Sequence, residues 1–217
     1  MTVRSVRVLM IKMEVGDVYD DKRMQKGKQT RAIILQTAIE IIAVNGLKDI
    51  STAKLATAAG VSKSTIFHHF KSSDELLMSA LNLVFEELLQ SMKIEVYRDV
   101  EHFLDTLGQS LFQVPEANLS SVKAFLSFFH EGIFDSAYQE ILVSYAAQMN
   151  ELFYNQLIEL APDHVKQETI ESVSQLILPM MDGIGFHYLL HDQREKYQQI
   201  WALQTKGILQ VLGIQGK

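Results

Sequence analysis

Between Thr52 and Lys71 two short helical patterns meet at one glycine, Gly60, and that arrangement restricts the fold more than any other feature of the chain. Gly60 can take the positive φ that a tight inter-helix turn demands, and Ala56 is small enough for two helices to cross closely. Leu55, Ala59, Val61 and Ile66 can bury against neighbours, which leaves Ser62, Lys63, Ser64, Thr65 and His68 outside. Ser51 or Thr52 can cap the first helix and Ser62 the second. A short helix with such a polar and basic edge is what a helix-turn-helix places in a DNA major groove.

The rest of the chain reads as helix. Ile34, Ala38, Ile41 and Ile42 form one apolar stripe on a helix spanning about 28 to 44, and Asn45-Gly46 stops it. Ser72 with Glu75 makes a capping box for a longer helix bearing Leu77, Leu81, Val84 and Leu88. Further helices are expected near 97–113, 118–131, 135–160, 164–190 and 193–213, about nine in all. Pro115 and Pro162 fall in breaks, whereas Pro179 lies inside a helical pattern and should kink or end it. Strand-like alternation is scarce after residue 28, so an all-α fold is expected.

Charge is unevenly spread. The net charge is −6, yet residues 1–71 hold 12 Lys/Arg against 6 Asp/Glu, and the remainder holds 8 against 20. A basic head on an acidic body implies that only the head meets phosphate. With no cysteine, disulfides and thiolate metal sites are excluded. The apolar stretch Val3–Ile11 is broken by Arg7 and followed by Lys12 with no small-residue cleavage site, so export is not expected. No run approaches the roughly 18 apolar residues that span a bilayer, and a cytoplasmic location is expected. HExxH, GxSxG and phosphate-loop patterns are missing from the sequence, so no enzyme and no cofactor is expected.

From Arg31 to Leu77 three pieces occur in order: an Ile/Ala-rich helix ending at Asn45-Gly46, the two short helices, and His69-Phe70-Lys71-Ser72-Ser73-Asp74-Glu75-Leu76-Leu77. This stretch resembles the DNA-binding domain of the TetR (TetR/AcrR) family of bacterial transcriptional repressors. Family members usually carry Gly in place of Ser64, Tyr in place of Phe67 and Lys in place of Ser73. The resemblance implies an N-terminal three-helix helix-turn-helix domain and a larger C-terminal helical domain for ligand binding and dimerisation. It also implies a dimeric repressor on a palindromic operator in double-stranded DNA, released by a small apolar or amphipathic effector. The corresponding division is an arm over residues 1–27, a DNA-binding domain over 28–74 and a body over 75–217. An activator of the same fold, or a helical binding module without DNA activity, remains an alternative; the latter leaves the positive head unexplained.

Phosphate contacts give affinity and base-edge contacts give sequence choice. Thr52, Ser62, Thr65, His69 and Lys71 are the phosphate candidates, since hydroxyls, a helix-end amide and a cation suit an anionic oxygen. Lys63, Ser64 and His68 are the base-edge candidates, Lys63 donating to guanine and Ser64 short enough to let the helix settle deep. Lys22, Arg23, Lys26, Lys28 and Arg31 form either an arm toward the minor groove or a solvated charge run.

In the body, Phe103, Phe125, Phe128, Phe129, Tyr145, Met149 and Met180 mark the region of an apolar pocket, most such aromatics being core. On the last two helices, Ile177, Met181, Ile184 and Tyr188 with Leu203, Gly207 and Val211 either complete the body core or form a four-helix dimer interface. Met181-Asp182-Gly183 resembles the family's dimerisation helix. His187 and His191 have the spacing of a metal pair but lack a third ligand, so no metal is expected.

Overall fold

Good helix formers interrupted by glycines and by Ser and Asp caps give the chain one kind of element. The computed structural model describes residues 3–92, 96–112, 116–191 and 193–215, the side chains of 3–23, 91–92 and 116–118 excepted. Its helices are α1 (Val3–Asn45), α2 (Thr52–Ala58), α3 (Lys63–His69), α4 (Ser73–Met92), α5 (Val100–Phe112), α6 (Glu116–Gly132), α7 (Ser136–Leu160), α8 (Gln167–His191) and α9 (Arg194–Val211). A single 3₁₀ turn, Leu47–Asp49, follows α1, and no strand occurs among the described residues.

Two compact units divide the chain, Met1–Leu83 and Val84–Lys217. The division falls inside α4, whereas the sequence pattern places it where that helix begins. In the first unit, Ile34, Leu35, Ala38, Ile39 and Ile42 of α1 are buried with Leu55, Ala56, Ile66, Phe70, Leu76, Ala80 and Leu81. Ile41 is only half-buried, so the buried stripe runs one residue to the side of the expected one. Residues 3–27, read as an arm, continue α1 as helix. No proline lies in that segment to break it.

Local signals end the short helices. Gly46 has φ +78° and donates its N–H to the Ile42 carbonyl at 2.8 Å. Gly60 has φ +66°, and the Val61 N–H returns to the Ala56 carbonyl at 3.0 Å, closing α2 with the six-to-one hydrogen bond of a Schellman turn. The start of α4 is capped as its sequence suggests, with one shift. Ser72 Oγ accepts from the Glu75 N–H at 3.0 Å, while the Glu75 carboxylate accepts from the N–H of Lys71 rather than Ser72, at 2.8 Å.

The second unit packs α5 to α9 with the C-terminal part of α4. Phe103, Phe128, Met149, Phe153, Leu157 and Ile177 are fully enclosed. Trp201 of α9 reaches into α5, where its indole N–H donates to the Leu104 carbonyl at 3.0 Å. Gly108 admits the ring, since a Cβ there would collide with the Trp201 indole. Pro179 does not end α8, which continues to His191. Gln175, whose carbonyl loses its helical donor to the proline, lies on the exposed side with Pro179, so water can serve it.

Candidate nucleic-acid interface and body cavity

On α3, Lys63, Ser64, Phe67 and His68 are exposed, and their one-and-four spacing makes a single outer edge. Ile66 is buried beneath them, and Phe70 closes the helix against the core. Each exposed or half-exposed hydroxyl of this turn has a defined partner. Ser62 Oγ accepts from the Thr65 N–H at 3.0 Å and shares hydrogen bonds with Ser64 Oγ at 2.7 Å and Thr65 Oγ1 at 2.8 Å. Ser62 is therefore the N-cap of α3 first, and its remaining hydrogen-bonding capacity is all that is left for phosphate. Thr65 is half-buried, and Thr52 is half-buried at the start of α2, whose N-cap is Ser51.

The two histidines part company. His68 is exposed and His69 half-buried, with ring centroids 5.3 Å apart. Burial, then the neighbouring His68 and Arg31, push the His69 pKa below its usual value. His69 consequently carries less positive charge near neutral pH, and Lys71, exposed, is the stronger of the two phosphate candidates. Arg31 is not a free arm residue: its guanidinium lies 4.8 Å from the Phe70 ring centroid and donates to Ser79 Oγ at 3.1 Å. The side chains of Lys22 and Arg23 lie outside the described residues. Phe67, more than half exposed, belongs to the same edge as Lys63 and Ser64. Its four-residue step from Lys63 is the signal that places it there.

The second unit holds a partly open cavity of about 100 Å³ lined by Leu88, Leu111, Val122, Phe125, Tyr145, Leu178, Met181, Asp182, Gly185 and Phe186. A neighbouring cavity of about 280 Å³ shares Leu111, Val122 and Gly185 and adds Phe112, Leu119, Tyr188 and Leu189. The two are lobes separated by shared side chains. Five of the inner-lobe residues, at 178, 181, 182, 185 and 186, form one face of α8. Phe125 is the hub of the aromatic wall, with ring centroids 6.3 Å from both Tyr145 and Phe186, and Tyr145 stacks on Phe85 at 4.0 Å. Asp182 is the one acid among the described lining residues. Burial lifts its pKa from 3.8 to about 6, and the Tyr145 phenol is pushed up by burial and by the Asp182 carboxylate.

Of the seven residues read as a pocket region, Phe125 and Tyr145 line the cavity. Phe103, Phe128 and Met149 are fully buried core, Met180 is buried away from the lining, and Phe129 is partly exposed, its ring 5.8 Å from that of Phe125. Helical spacing marked which side these residues face but not how deep they sit. Asp182 is the lining residue to which an apolar pattern does not point. A lone acid four residues before an aromatic, on an otherwise apolar face, was the available signal.

The interface candidates divide by helix. Ile177, Met181 and Ile184 point into their own unit, and Tyr188 packs edge-on against Phe112 with centroids 5.4 Å apart. Leu203, Gly207 and Val211 are exposed along one line of α9. On α8 the outward line is Leu176, Pro179, Gly183 and Leu190 instead. Gly183 and Gly207 both have open space where a Cβ would project. His187 and His191 stack 6.1 Å apart against Tyr197, and no group of three metal-ligating side chains occurs among the described residues. Nor is any described helix long and apolar enough to cross a membrane.

A glycine-hinged pair of short helices with a polar outer edge, joined to a separate helical unit, defines a helix-turn-helix transcriptional regulator. Residues 34–80 match the family described as "Bacterial regulatory proteins, tetR family". The match lies on the helix-turn-helix unit, whose three pieces are similar to that family's DNA-binding domain. It is 23% identical over 180 residues to the HTH-type transcriptional regulator PksA of Bacillus subtilis (strain 168), covering 80% of this chain and 85% of that one. A transcriptional regulator from Rhodococcus sp. Rha1 has the same fold, with TM-score 0.70, 21% identity, and coverage of 83% of this chain and 96% of that one. A protein of Saccharomonospora viridis solved in complex with choline also shares it, with TM-score 0.67, 17% identity, and coverage of 81% and 94%.

Proposed function

We propose that this chain is a dimeric, cytoplasmic repressor that leaves its operator when a small apolar or amphipathic effector fills the cavity of the second unit. The observation that carries the reading is the exposed edge Lys63, Ser64, Phe67 and His68 on a capped recognition helix. Lys63, Ser64 and His68 read base edges, while Lys71, Thr52, Thr65, Ser62 and, more weakly, His69 hold phosphate. The DNA-binding head ends in the first turns of α4, and the body beyond it holds the effector. A walled apolar cavity in that body supports the effector role, as does choline in the structurally similar Saccharomonospora viridis protein.

Two copies associate through the outward lines of α8 and α9, Leu176, Gly183 and Leu190 with Leu203, Gly207 and Val211. These lines are apolar, and their glycines leave room for close approach of backbones. Effector binding is transmitted along α4, which is continuous between the two units, and alters the separation of the recognition helices. Half-sites on DNA lie about 34–36 Å apart, so a small change in that separation weakens binding. The effector must favour the released state over the bound one, or nothing shifts.

The test is fluorescence anisotropy with a duplex taken from just upstream of this chain's own coding region, combined with light scattering. A dimer whose DNA affinity falls steeply with salt is expected. A protein that binds this duplex and scrambled duplexes alike, or only as a monomer, refutes the reading.

A further inference from the structure

We infer that the effector is a cationic amphiphile, its positively charged head held in the inner lobe by Asp182 and the faces of Phe125, Tyr145 and Phe186, its apolar tail in the outer lobe. The inference rests on the proposed effector role of this cavity and adds the charge and shape of what fills it. Asp182 makes no hydrogen bond or ion pair with a described residue, although it lines a cavity that is otherwise apolar. An unpaired carboxylate in such a place is costly unless something compensates its charge. Three aromatic residues line the same space, Tyr145 with one ring face stacked on Phe85, and aromatic rings attract cations and are poor hosts for anions.

The outer lobe explains the tail. It shares Leu111, Val122 and Gly185 with the inner one and is walled further by Phe112, Tyr188 and Leu189. Gly185 forms the partition with no side chain of its own; a Cβ there would come within 3.0 Å of Leu111. Leu111 fills the space beside Gly185, so a chain of methylenes passes from one lobe to the other as that flexible side chain moves aside. Among the described residues lining both lobes the titratable groups are Asp182, Tyr145 and Tyr188, so no basic side chain competes for the carboxylate.

Calorimetric titration of the full chain with decyltrimethylammonium, 1-decanol and decanoate, each below its micelle concentration, tests this at pH 7.5 and pH 5. At pH 7.5 the cation should bind about tenfold tighter than the alcohol, with decanoate weakest. Protonation of Asp182 at pH 5 should remove most of the cation's advantage, and Asp182→Asn should remove it at both pH values. The same substitution should leave decanol affinity within about twofold, which shows that the cavity survives. Equal binding of cation and alcohol, a cation preference that persists in Asp182→Asn, or failure of the cation to bind overturns the inference. DNA anisotropy in the same samples separates it from the regulatory reading. Release of DNA by all three probes alike defeats the charge assignment alone, and cation-selective binding with unchanged DNA affinity defeats the effector role alone.

Discussion

Asp182 makes the pH dependence of stability a direct test of the cavity. Its carboxyl is raised from 3.8 to about 6 by burial, so the folded protein holds this proton more tightly than the unfolded chain does. The sign follows from linkage: where the folded state binds more protons, stability falls as pH rises. The charged group therefore destabilises the ligand-free protein above pH 6, and the penalty fades as pH drops toward 3.8. At about 1.36 kcal/mol per pH unit the full penalty at pH 7.5 is about 3 kcal/mol, and lowering the pH to 5 recovers about 1.4 kcal/mol of it. For a chain of this length that recovery corresponds to a rise of about 3–6 °C in Tm. Other carboxylates titrate too, Asp105 among them with a raised pKa, so the informative quantity is the difference between wild type and Asp182→Asn. Differential scanning fluorimetry from pH 7.5 to 5 should show the variant more stable at the upper end, with the two curves converging toward pH 5. Parallel curves would refute the argument, because they would mean that Asp182 is hydrated or paired and that the cavity is not the low-dielectric space its walls imply.

At the DNA-facing edge, Lys71→Ala should weaken binding to all duplexes and lower the slope of log K against log salt by about 0.9, whereas Lys63→Ala should relax preference at one base position; both are read by anisotropy across salt and sequence. Gly60→Ala should cost about 1–2 kcal/mol in chemical denaturation and Gly60→Asn less, because the positive φ is the only obstacle and no neighbour lies within 4 Å of the added Cβ. Gly108→Ala should cost about 1–3 kcal/mol by overpacking against Trp201, visible as a lower Tm and a shifted indole emission. Leu203→Arg together with Val211→Arg should leave the Tm of a monomeric sample nearly unchanged while abolishing dimers in light scattering, both side chains being exposed in the single chain.

The head was legible because its signals are local. Gly46 and Gly60 stop helices through their own φ, Ser62 caps through its own hydroxyl, and Ile66 and Phe70 are buried because four-residue spacing leaves them no other side. None of these depends on a distant part of the chain. His69 shows where locality ends: its lowered pKa owes part of its shift to Arg31, which no spacing on α3 reveals.

The body was legible in kind but not in detail, and α8 shows why. That helix is apolar on two sides, so its periodicity is compatible with a core face through Ile177, Met181 and Ile184 and with an outward face through Leu176, Gly183 and Leu190. Only the packing of the neighbouring helices, α7 above all, against one of them decides which is which, and it chose the side that carries Asp182. An acid on a core-facing stripe normally costs a helix its burial. Here the stripe stays largely buried because the helices meet around a partly open cavity instead of on the carboxylate. The same fact that defeats prediction from spacing therefore argues for a role: a close-packed core would have to expel or neutralise Asp182, and a cavity has room for a counter-charge that arrives from outside.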